Sequence, residues 1–267
     1  MTLLHILLVA IIQGVTEFLP ISSSGHLILL PSLSGMEDQG QAIDVAVHVG
    51  TLFAVVTYFW TDVREAAGGL GRLVKGKVDT SGARLALMLI VATIPVILLG
   101  LILDVTGLDD AMRSVALIGW TMLLFGIVLY WADQKGDERM DDPDWTMKDA
   151  WIMGLWQALA LIPGTSRSGI TITGGRLLGY TRHGAAKLSM LMSIPTIMAS
   201  GLLLGAEVAA RGDAGQIHDA AIAAVFAFLS ALLALTLMMR LLRSVSFTPY
   251  VIYRIVLGLA LLGYAYL

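Results

Sequence analysis

Two short polar strings interrupt an otherwise apolar chain, and they carry the residues whose types and spacing could do chemistry. The first string, QGVTEFLPISSSGH, covers residues 13–26, and the second, PGTSRSGITIT, covers residues 163–173. Ionisable side chains at membrane depth cost at least about 2.5–3.5 kcal/mol each, so they are functional by default. The candidates are Gln13, Glu17, Ser22, Ser23, Ser24 and His26 in the first string, and Thr165, Ser166, Arg167, Ser168, Thr171 and Thr173 in the second.

The second string is typical of an oxyanion-binding site. Arg167 is flanked by serines and followed by a glycine at the predicted start of a helix. A guanidinium fork matches phosphate geometry, and a helix N-terminus offers free N–H groups with a favourable dipole. Because no carboxylate lies in the same string, we expect a diphosphate to be the anion that meets Arg167.

The first string supplies groups for acid–base chemistry. Gln13 and Glu17 are four residues apart, so they share one face of a helix. A carboxylate repels phosphate, and Glu17 therefore makes sense either as the ligand of a divalent metal that bridges to the phosphate or as a proton acceptor. His26 follows a serine cluster, which is the pattern of a base beside an activatable hydroxyl.

Structural roles compete with these chemical ones. Serines and threonines in membrane helices usually hydrogen-bond to the backbone or to neighbouring helices, so a single hydroxyl is better explained by packing. We interpret His48 as a packed histidine, and Arg254 as an anchor that snorkels to the cytoplasmic interface. Clustering at the two polar strings is what separates Glu17, His26 and Arg167 from this background.

The elements that must position these groups are membrane helices. Hydrophobic residues make up 57% of the 267 residues and charged residues 14%, against about 45–50% and about 25% in soluble domains. The absence of cysteine excludes disulfides and thiolate metal sites. We predict an all-α polytopic membrane protein that forms a single domain over residues 1–267. Apolar runs long enough to span a bilayer are predicted at 43–60, 85–104, 114–132, 185–208, 219–240 and 248–267.

Residues 2–31 and 148–180 differ from these six spans. Each has an apolar run, a polar Pro/Gly/Ser break and a shorter apolar run, which predicts a re-entrant helix–loop–helix segment. The two also align with each other, and each is followed by three spans, an odd number that would invert the second copy. We therefore predict two inverted repeats, at about 1–132 and 148–267. Coincidence in membrane sequence of low diversity is the alternative for the alignment alone.

The distribution of charge indicates the sidedness. The loops 61–84, 133–148, 176–187 and 240–247 hold 13 of the 17 Lys and Arg residues, whereas the loops 105–113 and 209–218 hold two. The positive-inside rule places the first set in the cytoplasm. Both termini then lie outside, and the two broken segments enter from opposite sides with tips that can meet mid-membrane. Residues 2–12 lack a basic n-region and a cleavage site, so we expect them in the mature protein.

The two strings resemble the motifs of the undecaprenyl-diphosphate phosphatase family, also called bacitracin-resistance proteins. The family's (E/Q)xxxE motif is matched by Gln13 to Glu17, its Pro, Ser-rich and Gly-His stretch by PISSSGH at 20–26, and its PGxSRSxxT motif by 163–171. The likeness covers essentially the whole chain. Many members have Glu where this chain has Gln13, and this departure weakens any site in which two carboxylates hold a metal.

The resemblance implies a hydrolase of the bacterial inner membrane with its site open to the periplasm. It would convert undecaprenyl diphosphate to undecaprenyl phosphate and inorganic phosphate, recycling the lipid carrier for peptidoglycan synthesis, cell-wall biogenesis and cell shape, and conferring bacitracin resistance. It would depend on Mg²⁺ or Ca²⁺, with Glu17 as the metal ligand. By position, the implied catalytic residues are the nucleophile Ser23, its proton-transfer partners Glu17 and His26, and the diphosphate ligand Arg167; the implied substrate-binding residues are Gln13, Ser24, Ser166, Ser168 and Thr171.

Two other functions can be weighed against this one. Lipid phosphatases of the type 2 phosphatidic-acid phosphatase group need a histidine a few residues after the Ser-Arg pair, but the next histidine after Arg167 is His183. A flippase for polyprenyl phosphate fits inverted repeats and broken helices, although binding alone needs no base beside a hydroxyl. The expected partners are a polyprenyl diphosphate lipid and the bilayer, with no nucleic acid; a homodimer is left open.

Overall fold

The helices follow the predicted apolar runs closely. The structure is a computed structural model that describes residues 1–35, 38–108, 112, 114–211 and 214–267, and these residues form helices without a strand. The helices are α1 Leu3–Phe18, α2 Ser23–Ser34, α3 Gln41–Tyr58, α4 Trp60–Leu73, α5 Ser81–Thr106, α6 Val115–Lys135, α7 Met147–Ala158, α8 Arg167–Leu178, α9 Arg182–Arg211, α10 Ala214–Leu241 and α11 Thr248–Tyr266, with 3₁₀ turns at Asp142–Asp144 and Leu159–Leu161.

Helices α3, α5, α6, α9, α10 and α11 are long and apolar enough to cross a membrane. They coincide with the six predicted spans, which confirms the prediction of an all-α polytopic membrane protein. The ends differ by a few residues because polar caps extend the helices past the apolar runs. Thr80, for example, accepts a hydrogen bond from the N–H of Ala83, so that α5 begins at Ser81 rather than at residue 85.

One helix was not predicted. The segment 61–84 was expected to be a cytoplasmic loop, but residues Trp60–Leu73 form α4, which packs against α5. The contact is close: a Cβ added at Gly82 would lie 2.1 Å from the carbonyl oxygen of Glu65. The sequence did not indicate this amphipathic helix because the segment is rich in charged residues and the apolar face of the helix is narrow.

The two broken segments lie against long helices from the opposite half of the chain. Helix α1 packs along α10, and α7 packs along α5. Both contacts need glycine: a Cβ at Gly14 would lie 2.7 Å from the carbonyl oxygen of Ala227, and one at Gly154 would lie 2.6 Å from that of Ala92. Backbone approach of this kind is how membrane helices gain packing energy without a hydrophobic driving force.

The breaks inside the two segments share one local geometry. Ser22 and Ser166 have φ angles of 74° and 71°, and they are the non-glycine residues with positive φ in the described part of the chain. Each caps the helix that follows, through Oγ accepting the N–H of Gly25 or of Gly169. The prediction of helix–break–helix segments is therefore confirmed, whereas re-entry into the membrane and inversion of the repeats stay predictions.

Candidate active site

The two breaks bring Ser23 and Arg167 to one carboxylate. These residues hold the same position in their segments, because each is the first residue of the helix after the break. Ser23 Oγ donates to Glu17 Oε2 at 2.8 Å, and Arg167 Nη2 donates to Glu17 Oε1 at 2.7 Å. Residues separated by about 150 positions in the sequence thus meet at a single side chain, as the aligned strings suggested.

Glu17 is held rigidly in the last turn of α1. It is 7% exposed, and Gln13 Nε2, one turn earlier on the same face, donates to Glu17 Oε2 at 2.8 Å. A buried carboxylate without a partner would be strongly destabilising, whereas ion pairing and three hydrogen bonds compensate for its desolvation. The residues that satisfy Glu17 are the same residues that the sequence assigned to chemistry.

The expectation that a diphosphate meets Arg167 stays a prediction, but in this structure a carboxylate already does so. The guanidinium pairs with Glu17, and its Nη1 also donates to the backbone carbonyl of Ser189 at 3.4 Å. Sequence reasoning missed the pair because Glu17 lies in the other polar string, where no local pattern links it to Arg167. The Arg167 side chain remains 13% exposed, so it can still be reached from one side.

Three predicted substrate-binding residues are engaged with the protein itself. Ser166 Oγ and Ser168 Oγ are 3.2 Å apart, and Ser168 Oγ donates to the carbonyl of Leu19 at 2.9 Å, which joins the two breaks. Thr171 Oγ1 donates to the carbonyl of Arg167 at 2.8 Å. All three side chains are buried. Their contacts support the position of Arg167 rather than presenting hydroxyls to an open surface.

His26 lies near the serines, but its ring is hydrogen-bonded elsewhere. Nδ1 donates to the carbonyl of Ser22 at 2.6 Å, which fixes the proton on that nitrogen, since a carbonyl oxygen only accepts. Nε2 contacts the hydroxyl of Tyr253 at 2.6 Å, and the two rings are stacked with centroids 5.7 Å apart. The hydroxyl of Ser23 is bonded to Glu17 instead, and no local pattern pointed to Tyr253.

The interpretation of Arg254 as an interfacial anchor is wrong, and the contacts of this residue affect the whole site. Its side chain is fully buried and donates only to backbone carbonyls. The acceptors are Pro20 at 3.3 Å in the first break, Gly164 and Thr165 at 3.1 and 2.8 Å in the second break, and Met122 and Thr121 at 3.2 and 3.4 Å in α6. Arg254 therefore fastens both breaks to α6. An arginine in mid-span was the available signal, but sequence does not show which way it points.

A cavity of about 500 Å³ adjoins the first break and reaches Ser24, Asp44, His48 and Ser200. Ser24 is exposed in it, as expected of a residue that contacts substrate. We interpreted His48 as a packed histidine, yet it is only partly buried and lines this cavity. Its Nδ1 donates to the carbonyl of Asp44 at 2.7 Å.

The donor set fits a divalent cation only in part. The described residues contain no cluster of three or more His, Asp or Glu side chains. Glu17 is the carboxylate of the site, and the Oε1 of Gln13 is a buried oxygen with no donor among the described residues. Two oxygens of this kind suit a hard cation whose remaining ligands come from water or phosphate.

Comparison with known proteins settles the family. The model of the family described as BacA, the bacitracin resistance protein, matches residues 6–260. The chain belongs to the BacA family. The matched region contains both polar strings as well as Tyr253 and Arg254, which sequence reasoning had left out of the site.

Relatives with a curated name are similar to this BacA family chain along its full length. It is 72% identical to the undecaprenyl-diphosphatase of Dinoroseobacter shibae and 69% identical to that of Ruegeria pomeroyi, with 100% of each chain covered. It is 46% identical to the undecaprenyl-diphosphatase of Hahella chejuensis, over all of this chain and 99% of the relative. The chain therefore covers these relatives over essentially their whole length.

Proposed function

We propose that this protein hydrolyses undecaprenyl diphosphate to undecaprenyl phosphate and inorganic phosphate. The observation that carries the proposal is the convergence of a hydroxyl, Ser23, and a guanidinium, Arg167, on the carboxylate of Glu17. A hydroxyl bonded to a buried carboxylate is an activated nucleophile, and an arginine beside it neutralises a phosphoryl group. The relatives' name, undecaprenyl-diphosphatase, describes the same reaction.

The geometry suggests an order of events. The terminal phosphoryl group takes over the guanidinium of Arg167, which frees the carboxylate of Glu17 from its ion pair. Glu17 then accepts the proton of Ser23 as the serine Oγ bonds to the terminal phosphorus. The bond from that phosphorus to the bridging oxygen breaks, and undecaprenyl phosphate leaves. Water next attacks the phosphoserine, Ser23 regains a proton, and inorganic phosphate is released.

His26 and the cation have supporting roles in this proposal. His26 and Tyr253 form a hydrogen-bonded pair next to Ser22 at the first break, and we assign them to proton transfer. A Mg²⁺ or Ca²⁺ ion would be held by Glu17 and by Gln13 Oε1 together with phosphate oxygens, and it would neutralise charge on the diphosphate. Because residue 13 is an amide here, the protein supplies a single carboxylate to that ion.

The orientation in the membrane belongs to the same proposal. The excess of Lys and Arg on one set of loops supports a multi-pass protein of the bacterial inner membrane with the cavity at Ser24 open to the periplasm. The shared geometry of the two breaks supports a single domain built from inverted repeats at about 1–132 and 148–267. Substrate recycling for peptidoglycan synthesis and resistance to bacitracin fit the family description.

Phosphate release by the purified full-length protein tests the proposal. In detergent micelles with Mg²⁺ or Ca²⁺, wild type should release phosphate from undecaprenyl diphosphate, and a chelator should stop the reaction. Ser23→Ala and Glu17→Gln should lower turnover by about 10²–10⁴, the usual range for lost acid–base catalysis, while Gln13→Ala should lower it less. Ser244→Ala, in an exposed loop, is the matched control.

The alternative has a distinct signature. A polyprenyl-phosphate flippase would release no phosphate in micelles, but it would move a fluorescent polyprenyl phosphate between the leaflets of vesicles. That pair of results would refute hydrolysis and leave the membrane architecture intact.

A further inference from the structure

A second, apolar groove shares the lining residue Ser200 with the polar cavity beside the first break. It has a volume of about 250 Å³ and runs between α5 and α9. Its lining is mostly apolar, with Val96, Ile97, Gly100 and Leu101 of α5, Leu161 at the second break and Ala199 of α9; Asp104, Thr196 and Ser200 are its polar members. Ile97 and Leu101 are 41% and 50% exposed, so the groove opens sideways toward the lipid.

The groove is continuous with the site along two elements. Helix α9 carries both Ser189, whose carbonyl accepts from Arg167, and Thr196, which lines the groove about 10 Å further along the helix at about 1.5 Å per residue. Ser200, one turn beyond, lines the groove and the polar cavity of Ser24 alike. Leu161 precedes Arg167 by six residues in the second break.

Corresponding positions of the two aligned segments contribute to the polar site in one segment and to the apolar groove in the other. In the alignment of the two strings, Gln13 corresponds to Gln157, and the residue one turn later is Glu17 in the first and Leu161 in the second. Glu17 faces Ser23 and Arg167, whereas Leu161 lines the groove. A headgroup site and an apolar channel therefore start from corresponding positions.

We infer that this groove binds the first prenyl units of the substrate, next to the diphosphate. An amphiphile with a charged head and a hydrocarbon tail needs adjoining polar and apolar sites, and these two meet at Ser200. The groove is far too small for a full undecaprenyl chain, so the distal units lie among the membrane lipids. The inference rests on the proposed function for the identity of the tail, but the binding test does not depend on turnover.

Photolabelling of wild type decides the point. A prenyl diphosphate with a diazirine in its second prenyl unit is irradiated with the full-length protein in micelles, and labelled peptides are mapped by mass spectrometry. Labelling within 96–101 or 196–200 that excess undecaprenyl diphosphate removes supports the inference. Competed labelling elsewhere overturns it, and so does groove labelling that competition leaves unchanged, which would show ordinary lipid in the groove.

The variant Gly100→Leu tests the same inference by enzyme kinetics. A Cβ at Gly100 would lie 3.9 Å from a Leu161 methyl carbon, so a leucine there fills the groove without a backbone clash. We expect kcat/KM for farnesyl and undecaprenyl diphosphate to fall about tenfold, since lost contacts in an apolar pocket cost 10-fold or more. Ala199→Phe fills the groove from the other wall and should act alike.

The control is Gly263→Leu in α11, where an added Cβ meets nothing within 4 Å; both its labelling and its kinetics should match wild type. Unchanged kinetics in both groove variants would overturn the inference. Wild type that is labelled in the groove but releases no phosphate would refute the phosphatase and leave the prenyl site standing.

Discussion

Replacing Arg254 with lysine keeps the positive charge of the last span but removes the planar fork that holds both breaks. Arg254 donates to five backbone carbonyls, in the two breaks and in α6. A lysine ammonium has three donors, so at least two of these five hydrogen bonds are lost. At about 1.5–3 kcal/mol for each hydrogen bond to a charged group, the clamp weakens by about 3–6 kcal/mol.

The consequence should appear in turnover rather than in substrate affinity, because Arg254 does not line the cavity at Ser24. Release of Pro20 or Thr165 would let Ser23 and Arg167 shift relative to Glu17. A misplacement of about 1 Å can cost about 100-fold in rate, so we expect kcat for Arg254→Lys to fall by about that factor with KM little changed.

The assay is phosphate release from undecaprenyl diphosphate at equal amounts of monodisperse protein, with thermal unfolding followed in parallel. Arg243→Lys, at an exposed position after α10, is the matched control and should behave as wild type in both measurements. Arg254→Met removes all five of these hydrogen bonds and should unfold at a lower temperature than Arg254→Lys. Wild-type kcat in Arg254→Lys would refute the clamp and restore the interpretation of Arg254 as a simple charged anchor.

Three further outcomes follow from the same geometry. Arg167→Lys should lower kcat by about 10²–10³, the cost of one preorganised donor to a developing oxyanion, and near-normal turnover would show that a positive charge is sufficient there. Ser23→Ala combined with Glu17→Gln should cost about as much as either change alone, because the two act as a unit; simple multiplication of the two effects in kcat would contradict the proposed proton transfer. For topology, a single cysteine at Leu108 should react with an impermeant reagent from the periplasm and one at Lys75 should not, whereas labelling of the Lys75 position from outside would reverse the orientation.

The charge distribution also suggests Asp109 and Asp213, in the two predicted outer loops, as labelling positions for the topology test. Both lie outside the described residues, so the test uses Leu108 instead. Leu108 is 53% exposed next to the end of α5. Lys75 follows α4 and is also exposed. Both positions are therefore accessible to a reagent on their own side of the membrane.

The sequence determined the fold class of this protein and indicated candidate residues for its chemistry, because both depend on local patterns. Apolar length alone placed the six long helices, since a hydrocarbon core tolerates little else. The two breaks could be recognised from the sequence for the same reason: irregular backbone with Pro, Gly and Ser at membrane depth must either line a cavity or be buried in protein. Glu17, Ser23 and Arg167 were candidates by residue type before any contact was known.

The tertiary structure decided which of these residues touch, and local patterns cannot supply that. The pairing of Glu17 with Arg167 spans 150 positions, and the contact of His26 with Tyr253 spans 227. Arg254 shows the limit most clearly: its position in the last span is compatible with an interfacial anchor or a buried clamp. The packing of α11 against α6 turns the guanidinium toward the carbonyls of both breaks. Because a charge buried there must be hydrogen-bonded, this packing decides that Arg254 is a clamp.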